Sequence, residues 1–162
     1  MLSKIEMQYT ENEILQMATV IMEKRALYKT SRALLTSPEL VMEYLRMSLI
    51  SKNVEVFGVF WLAADTGLIK REELFTGSIT ATSVYPGVVA KAALANDAVS
   101  AIFYHNHPSG NAEPSFADDM LTKVLWKSLR LVDVDMVDHL IVGASTVFSY
   151  AEAGRMRGDP SC

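Results

Sequence analysis

The chain has 162 residues, half of them hydrophobic, which is enough to bury the core of one domain. A net charge of −4 argues against a dedicated DNA-binding module, which normally carries a basic face. The only cysteine is Cys162, so there is no disulfide framework, no CxxC metal site and no thiol nucleophile in an internal pocket, and the usage fits a reducing cytoplasm.

The opening stretch MLSKIEMQYTENEI has no continuous apolar region, so it does not read as a signal peptide. No apolar run reaches transmembrane length, and the expected location is cytoplasmic. Thr10 and Glu13 have the spacing of a capping box, and Ile14, Met17, Ala18, Ile21 and Met22 follow at helical period, which predicts a helix over about 11–27. Ser37-Pro38 is a second helix start, with Leu40, Val41, Tyr44, Leu45 and Leu49 as its apolar face and a stop near Ser51-Lys52-Asn53. From Glu55 the composition turns aromatic and β-branched. EVFGVFWLAAD reads as a buried strand, Asp65-Thr66-Gly67 as a turn, and LIKREELFTGSI as a second strand antiparallel to the first. YPGVVAKAALAND reads as a short helix and AVSAIFYH as a strand buried on both faces. PSFADDMLTKVLWKSLRLV is the next helix, and DHLIVGASTVFSYAEAG supplies closing strands that turn at Gly143-Ala144-Ser145. The scattered methionines, Trp61 and Trp126 read as packing. The fold class expected is α/β: a single three-layer domain with a mixed β-sheet flanked by helices, plus an N-terminal helical extension. The expected division is 1–45 for the extension, 46–152 for the domain and 153–162 for a flexible tail.

The chemistry concentrates in YHNHPSGNAEPSFADD. Alternate residues of a strand face the same way, so His105 and His107 project to one side at its C-terminal end. Pro108 ends the strand, Gly110 permits a tight turn, and Pro114-Ser115 opens a helix with Asp118 in its first turn. Chain reversal brings that turn back towards the strand end. Two imidazoles and one carboxylate can then converge, the donor set of an open, catalytic zinc site. A plain alternative is a polar strand edge followed by a helix whose Ser115 and Asp118 merely cap each other. Cap and metal would also compete for Asp118. Asp119 is a further ligand candidate, although spacing favours Asp118. Asn106 points away from its histidine neighbours. His139 reads either as a hydrogen-bond partner that holds a ligand or, slightly favoured, as an ordinary strand-end histidine.

HNHPSGNAEPSFADD resembles the JAMM motif of the MPN (JAB) metalloprotease superfamily, H-x-H-P-x(6)-S-x-x-D, matching at His105, His107, Pro108, Ser115 and Asp118. LFTGSITATSVYPGVVAKAALANDAVSAIFYHNHPSG and DHLIVG are similar to segments of its bacterial RadC-like branch, and the likeness spans roughly residues 45–150. The helix-hairpin-helix region of longer RadC proteins is not evident in 1–45, and Gly87 stands where the family usually carries a basic residue. The resemblance implies the MPN/JAB, cytidine-deaminase-like fold. It implies His105, His107 and Asp118 as zinc ligands, with the metal lowering the pKa of a bound water. Ser115 would hydrogen-bond the oxyanion or the water. A glutamate at the start of an earlier strand would be the general base. Glu55 fits that place best, with Glu72 and Glu73 as competitors.

The activity expected is therefore that of a zinc-dependent metallopeptidase or isopeptidase acting on a peptide or protein substrate that the sequence does not name. The alternative is a RadC-like DNA-repair or mobile-element accessory protein that works by binding, which the acidic balance does not support. A zinc deaminase would need H-x-E and P-C-x-x-C, and the chain has neither. No membrane association is expected, and the helices at 11–50 offer a surface for a homodimer.

Overall fold

The computed structural model describes residues 9–28, 37–77 and 84–156. Helices α1 (Glu11–Tyr28) and α2 (Pro38–Leu49) are followed by β1 (Val56–Leu62), β2 (Leu68–Thr76), α3 (Pro86–Ala95), β3 (Ser100–Asn106), α4 (Phe116–Arg130), β4 (Asp135–Val142) and β5 (Val147–Ser149). The expected order of elements is the observed one. The end of the predicted second strand (78–79) and most of the expected tail (157–162, with Cys162) lie outside the described residues, as do residues 1–8. Among the described residues, no helix is long and apolar enough to cross a membrane.

The strands form one mixed sheet in the order β2-β1-β3-β4-β5. Among the described residues, only the β3–β4 pair is parallel, because α4 carries the chain back between them, as a parallel connection requires. The β1–β2, β1–β3 and β4–β5 pairs are antiparallel. Alternation along the strands then builds a core on each face. On one face, Phe57, Val59, Trp61 and Phe103 meet Val89 and Ala93 of α3 and Leu121, Leu125 and Leu129 of α4. On the other, Val56, Phe60, Tyr104 and Leu140 meet Val41, Tyr44, Leu45 and Leu49 of α2. The result is helix, sheet and helix in three layers, with β1 and β3 buried on both sides.

Two local devices anchor the α2 layer. The Arg71 guanidinium donates to the Tyr104 hydroxyl at 2.8 Å and to the Tyr44 hydroxyl at 2.9 Å, and it lies 5.3 Å from each ring centroid. It thereby joins β2, β3 and α2 through one cation between two aromatic faces. Tyr104 can lie flat on β1 only because Gly58 has no side chain; a Cβ there would stand 2.2 Å from the Tyr104 ring.

The capping box at the start of α1 forms as the spacing predicts, with Thr10 N donating to Glu13 at 2.7 Å and Glu13 N to Thr10 Oγ1 at 3.3 Å. The apolar stripe of α1 behaves differently from expectation. Ile14, Met17, Val20 and Ile21 remain 37–50 % exposed. The helix packs on α2, and none of its described side chains belongs to either core cluster.

Gly58→Ala should destabilise the domain by about 1–3 kcal/mol, because the pinned Tyr104 ring cannot make room for a methyl group. Urea unfolding checks this; an unchanged midpoint would mean that the ring shifts without cost.

Candidate metal centre

β3 delivers its histidines to the α4 face of the sheet. Phe103, on that face, alternates with Tyr104 on the α2 face, and His105 and His107 continue the Phe103 side. Strand pairing runs one residue past β3, since His107 N donates to Val142 O at 2.9 Å. The chain then reverses at Gly110, whose φ of +85° lies in the left-handed region that favours glycine. Ser115 caps α4, and the first turn of that helix returns Asp118 to the histidines.

There the three side chains meet. His105 Nε2 lies 3.0 Å from His107 Nε2 and 3.1 Å from Asp118 Oδ1, and His107 Nε2 lies 3.5 Å from Asp118 Oδ2. His105 and Asp118 are buried and His107 is half-buried. Burial works against the Asp118 charge, but hydrogen bonds from His105, His107 and Ser115 outweigh it and hold the carboxyl well below the usual carboxylate range. The bond with Asp118 raises the pKa of His107 against a smaller effect of burial, and the negative charge of Glu55 adds to the rise. His107 Nδ1 lies 2.8 Å from the Asn111 carbonyl, an atom that only accepts. Nδ1 therefore carries a proton there, and in the neutral ring Nε2 keeps its lone pair towards the site.

The expected competition between cap and metal for Asp118 is eased, because its two oxygens are engaged differently. Oδ2 accepts from Ser115 N at 2.7 Å and from Ser115 Oγ at 2.6 Å, completing the capping box. Oδ1 faces His105. Ser115 thus stands at the site with its hydroxyl proton directed to Asp118 Oδ2.

Glu55 lies half-buried just before β1, and its charge acts on His107. The peptide groups around it are held by Asn106, which points to the opposite side from the histidines. Asn106 Oδ1 accepts from Val56 N at 2.7 Å, and its Nδ2 donates to Val54 O at 3.1 Å. The competitors are engaged elsewhere. Glu72 binds Lys70 and the Trp61 indole, which together hold its carboxyl below the usual range. Glu73 pairs with Arg71 and Lys52. Asp119 turns away from the histidines to accept from the Tyr150 hydroxyl at 2.9 Å and from the Arg155 guanidinium.

His139 is not an ordinary strand-end histidine. It is fully buried on β4, with Nε2 2.9 Å from His105 Nδ1 and Nδ1 2.7 Å from Thr122 Oγ1. Its ring stacks on Tyr150 at 5.2 Å and meets Phe57 edge-on. Burial, reinforced by the neighbouring His105, pushes its pKa well down, so the ring is neutral. Thr122 escapes a sequence reading, although it lies one helical turn after Asp118 on the same face.

His105, His107 and Asp118 each offer a ligand atom within 4.8 Å of the others. Donors around a tetrahedral ion with bonds of about 2.0–2.1 Å stand roughly 3.3 Å apart. His105 Nε2 stands 3.0 Å from His107 Nε2 and 3.1 Å from Asp118 Oδ1, close to that spacing, and two imidazole nitrogens with one carboxylate oxygen suit a borderline metal. The three side chains can therefore hold a metal ion and leave a fourth position open.

This donor set falls within the span of a known family. A model of the RadC-like JAB domain matches residues 35–155. The chain belongs to the RadC-like JAB domain family. It is 50% identical over 140 residues to a UPF0758 protein of Dechloromonas aromatica (strain RCB), covering 85% of this chain and 62% of that relative. It is 48% identical over 122 residues to a UPF0758 protein of Janthinobacterium sp. (strain Marseille), covering 75% of this chain and 54% of that relative. The chain thus spans less than two thirds of the length of these curated relatives.

Asp119→Asn should leave the stoichiometry of bound divalent metal unchanged while lowering stability by about 1–2 kcal/mol, since it weakens the contacts with Tyr150 and Arg155. Metal analysis beside thermal unfolding checks both halves; loss of metal would bring Asp119 into the ligand set.

Proposed function

We propose that the domain is a zinc-dependent metallopeptidase or isopeptidase that hydrolyses an amide bond in a peptide or protein substrate in the cytoplasm. The observation that carries this reading is the convergence of His105, His107 and Asp118, with the charge of Glu55 acting on His107. Two histidines, one carboxylate and an open fourth position form a donor set used for catalytic zinc. A zinc ion held there would supply Lewis acidity and bring the pKa of water towards neutrality.

The chain's own residues account for the remaining steps. Glu55 takes the proton of the attacking water and passes it to the leaving nitrogen as the C–N bond breaks. Asn106 keeps the Glu55 peptide in place from both sides. Ser115 holds Asp118 in its orientation, and its hydroxyl would turn to the developing oxyanion. A cavity of about 210 Å³ opens beside His107, between Lys52, Asn53, Val142 and Ala144. Its size suits a single substrate side chain next to the scissile bond.

His107→Ala should lose zinc and keep the fold, checked by metal analysis with circular dichroism; full retention of zinc would remove His107 from the ligand set. Glu55→Gln should keep zinc and lose roughly 10²–10⁴-fold in turnover of peptide or isopeptide-linked substrates. Unchanged turnover would move the base elsewhere.

A further inference from the structure

We infer that Thr122 and His139 are positioning residues that fix the tautomer of His105 and so aim its Nε2 lone pair at the metal position. The inference rests on the metal reading above and adds a direction to the hydrogen bonds behind it.

The direction follows from the one group in the chain of contacts that cannot donate. Thr122 Oγ1 lies 2.7 Å from the backbone carbonyl of Asp118. A carbonyl only accepts, so the single hydroxyl proton of Thr122 goes there. Thr122 Oγ1 must then accept from its other close neighbour, His139 Nδ1, at 2.7 Å. His139 is fully buried and its ring nitrogens meet Thr122 and His105, neither of which brings a compensating negative charge, so the ring carries one N–H, placed at Nδ1, and its Nε2 is an acceptor. His105 Nδ1, 2.9 Å away, therefore donates to it. His105 Nδ1 is thereby committed to its proton, which makes Nε2, 3.1 Å from Asp118 Oδ1 and 3.0 Å from His107 Nε2, the nitrogen that a metal would take in place of the hydrogen bond to Asp118.

The sequence of bonds begins and ends on Asp118. Its backbone carbonyl sets the polarity, and its side chain faces the nitrogen that the polarity assigns to the metal. The His139 ring plane is held by Tyr150, whose hydroxyl is tied to Asp119. The two histidines thus obtain their Nδ1 protonation in different ways. For His107 a carbonyl suffices. For His105 the nearest partner is another imidazole, which can donate or accept, and Thr122 resolves the ambiguity. Among metal-ligating histidines, the partner on the second ring nitrogen typically governs affinity by 10–100-fold.

Zinc affinity measured by chelator competition on the full chain tests this. Thr122→Val should bind zinc about 10-fold or more weakly than wild type, and Thr122→Ser, which keeps the hydroxyl, should stay within about threefold. Long-range ¹⁵N–¹H correlations of the zinc-loaded wild type should show His139 protonated at Nδ1 and bare at Nε2. This is a signature that mere packing would not produce. Equal affinity for the valine and serine variants, or a proton on His139 Nε2, overturns the assignment while the metal reading stands. A wild-type chain that takes up no zinc overturns both.

Discussion

The carboxylate of Asp118 is where the helix layer and the sheet layer become one site. One oxygen closes the capping box of α4, and the other faces His105. The helix N-terminus favours a negative charge, and so do the imidazoles. The same charge is therefore stabilised from two sides that need not otherwise be related. Because the cap fixes the first turn of α4, the position of Asp118 is as rigid as the helix. Because β3 is buried on both faces, the histidines are as rigid as the sheet.

That rigidity depends on polar groups being satisfied in a largely apolar wall. His105, Asp118, Thr122 and His139 are all buried against Phe57, Tyr150 and the α4 core. A buried polar group without a partner costs about 1–3 kcal/mol, so a cluster of four survives only as a complete network. Among the described residues, no buried side-chain nitrogen or oxygen lacks a partner. The opposite side of β3 follows the same logic. Asn106 is buried and spends its amide on the peptide groups around Glu55, which carries the β1–β3 contact past the last regular pair, Phe57 and His105. A single dipeptide step along β3 thus sends imidazoles to one layer and a structural amide to the other.

Local signals were enough for much of this. Proline, serine and threonine marked the helix starts, alternation and β-branched runs marked the strands, and the order of elements followed. The His105, His107 and Asp118 set was visible because its members lie on one strand–turn–helix unit, so short-range geometry brings them together. The stripe on α1 shows the limit of such reasoning. A helical period announces an apolar face but not what covers it, and here the described side chains of the helix stand outside both cores.

Sequence by itself determined the elements, the chemistry of the donor set and the side of β3 on which the histidines stand, because each depends on spacing within a few residues. Tertiary structure decided what the donors rest on. His139 reaches His105 because β4 pairs in parallel with β3, with Phe103 opposite His139. Thr122 reaches His139 because α4 packs across both strands, and the division of Asp118 between cap and site depends on the angle at which that helix meets the sheet. These contacts join residues 17 and 34 positions apart. Their geometry is set by strand register and layer packing, which no local pattern of side chains encodes.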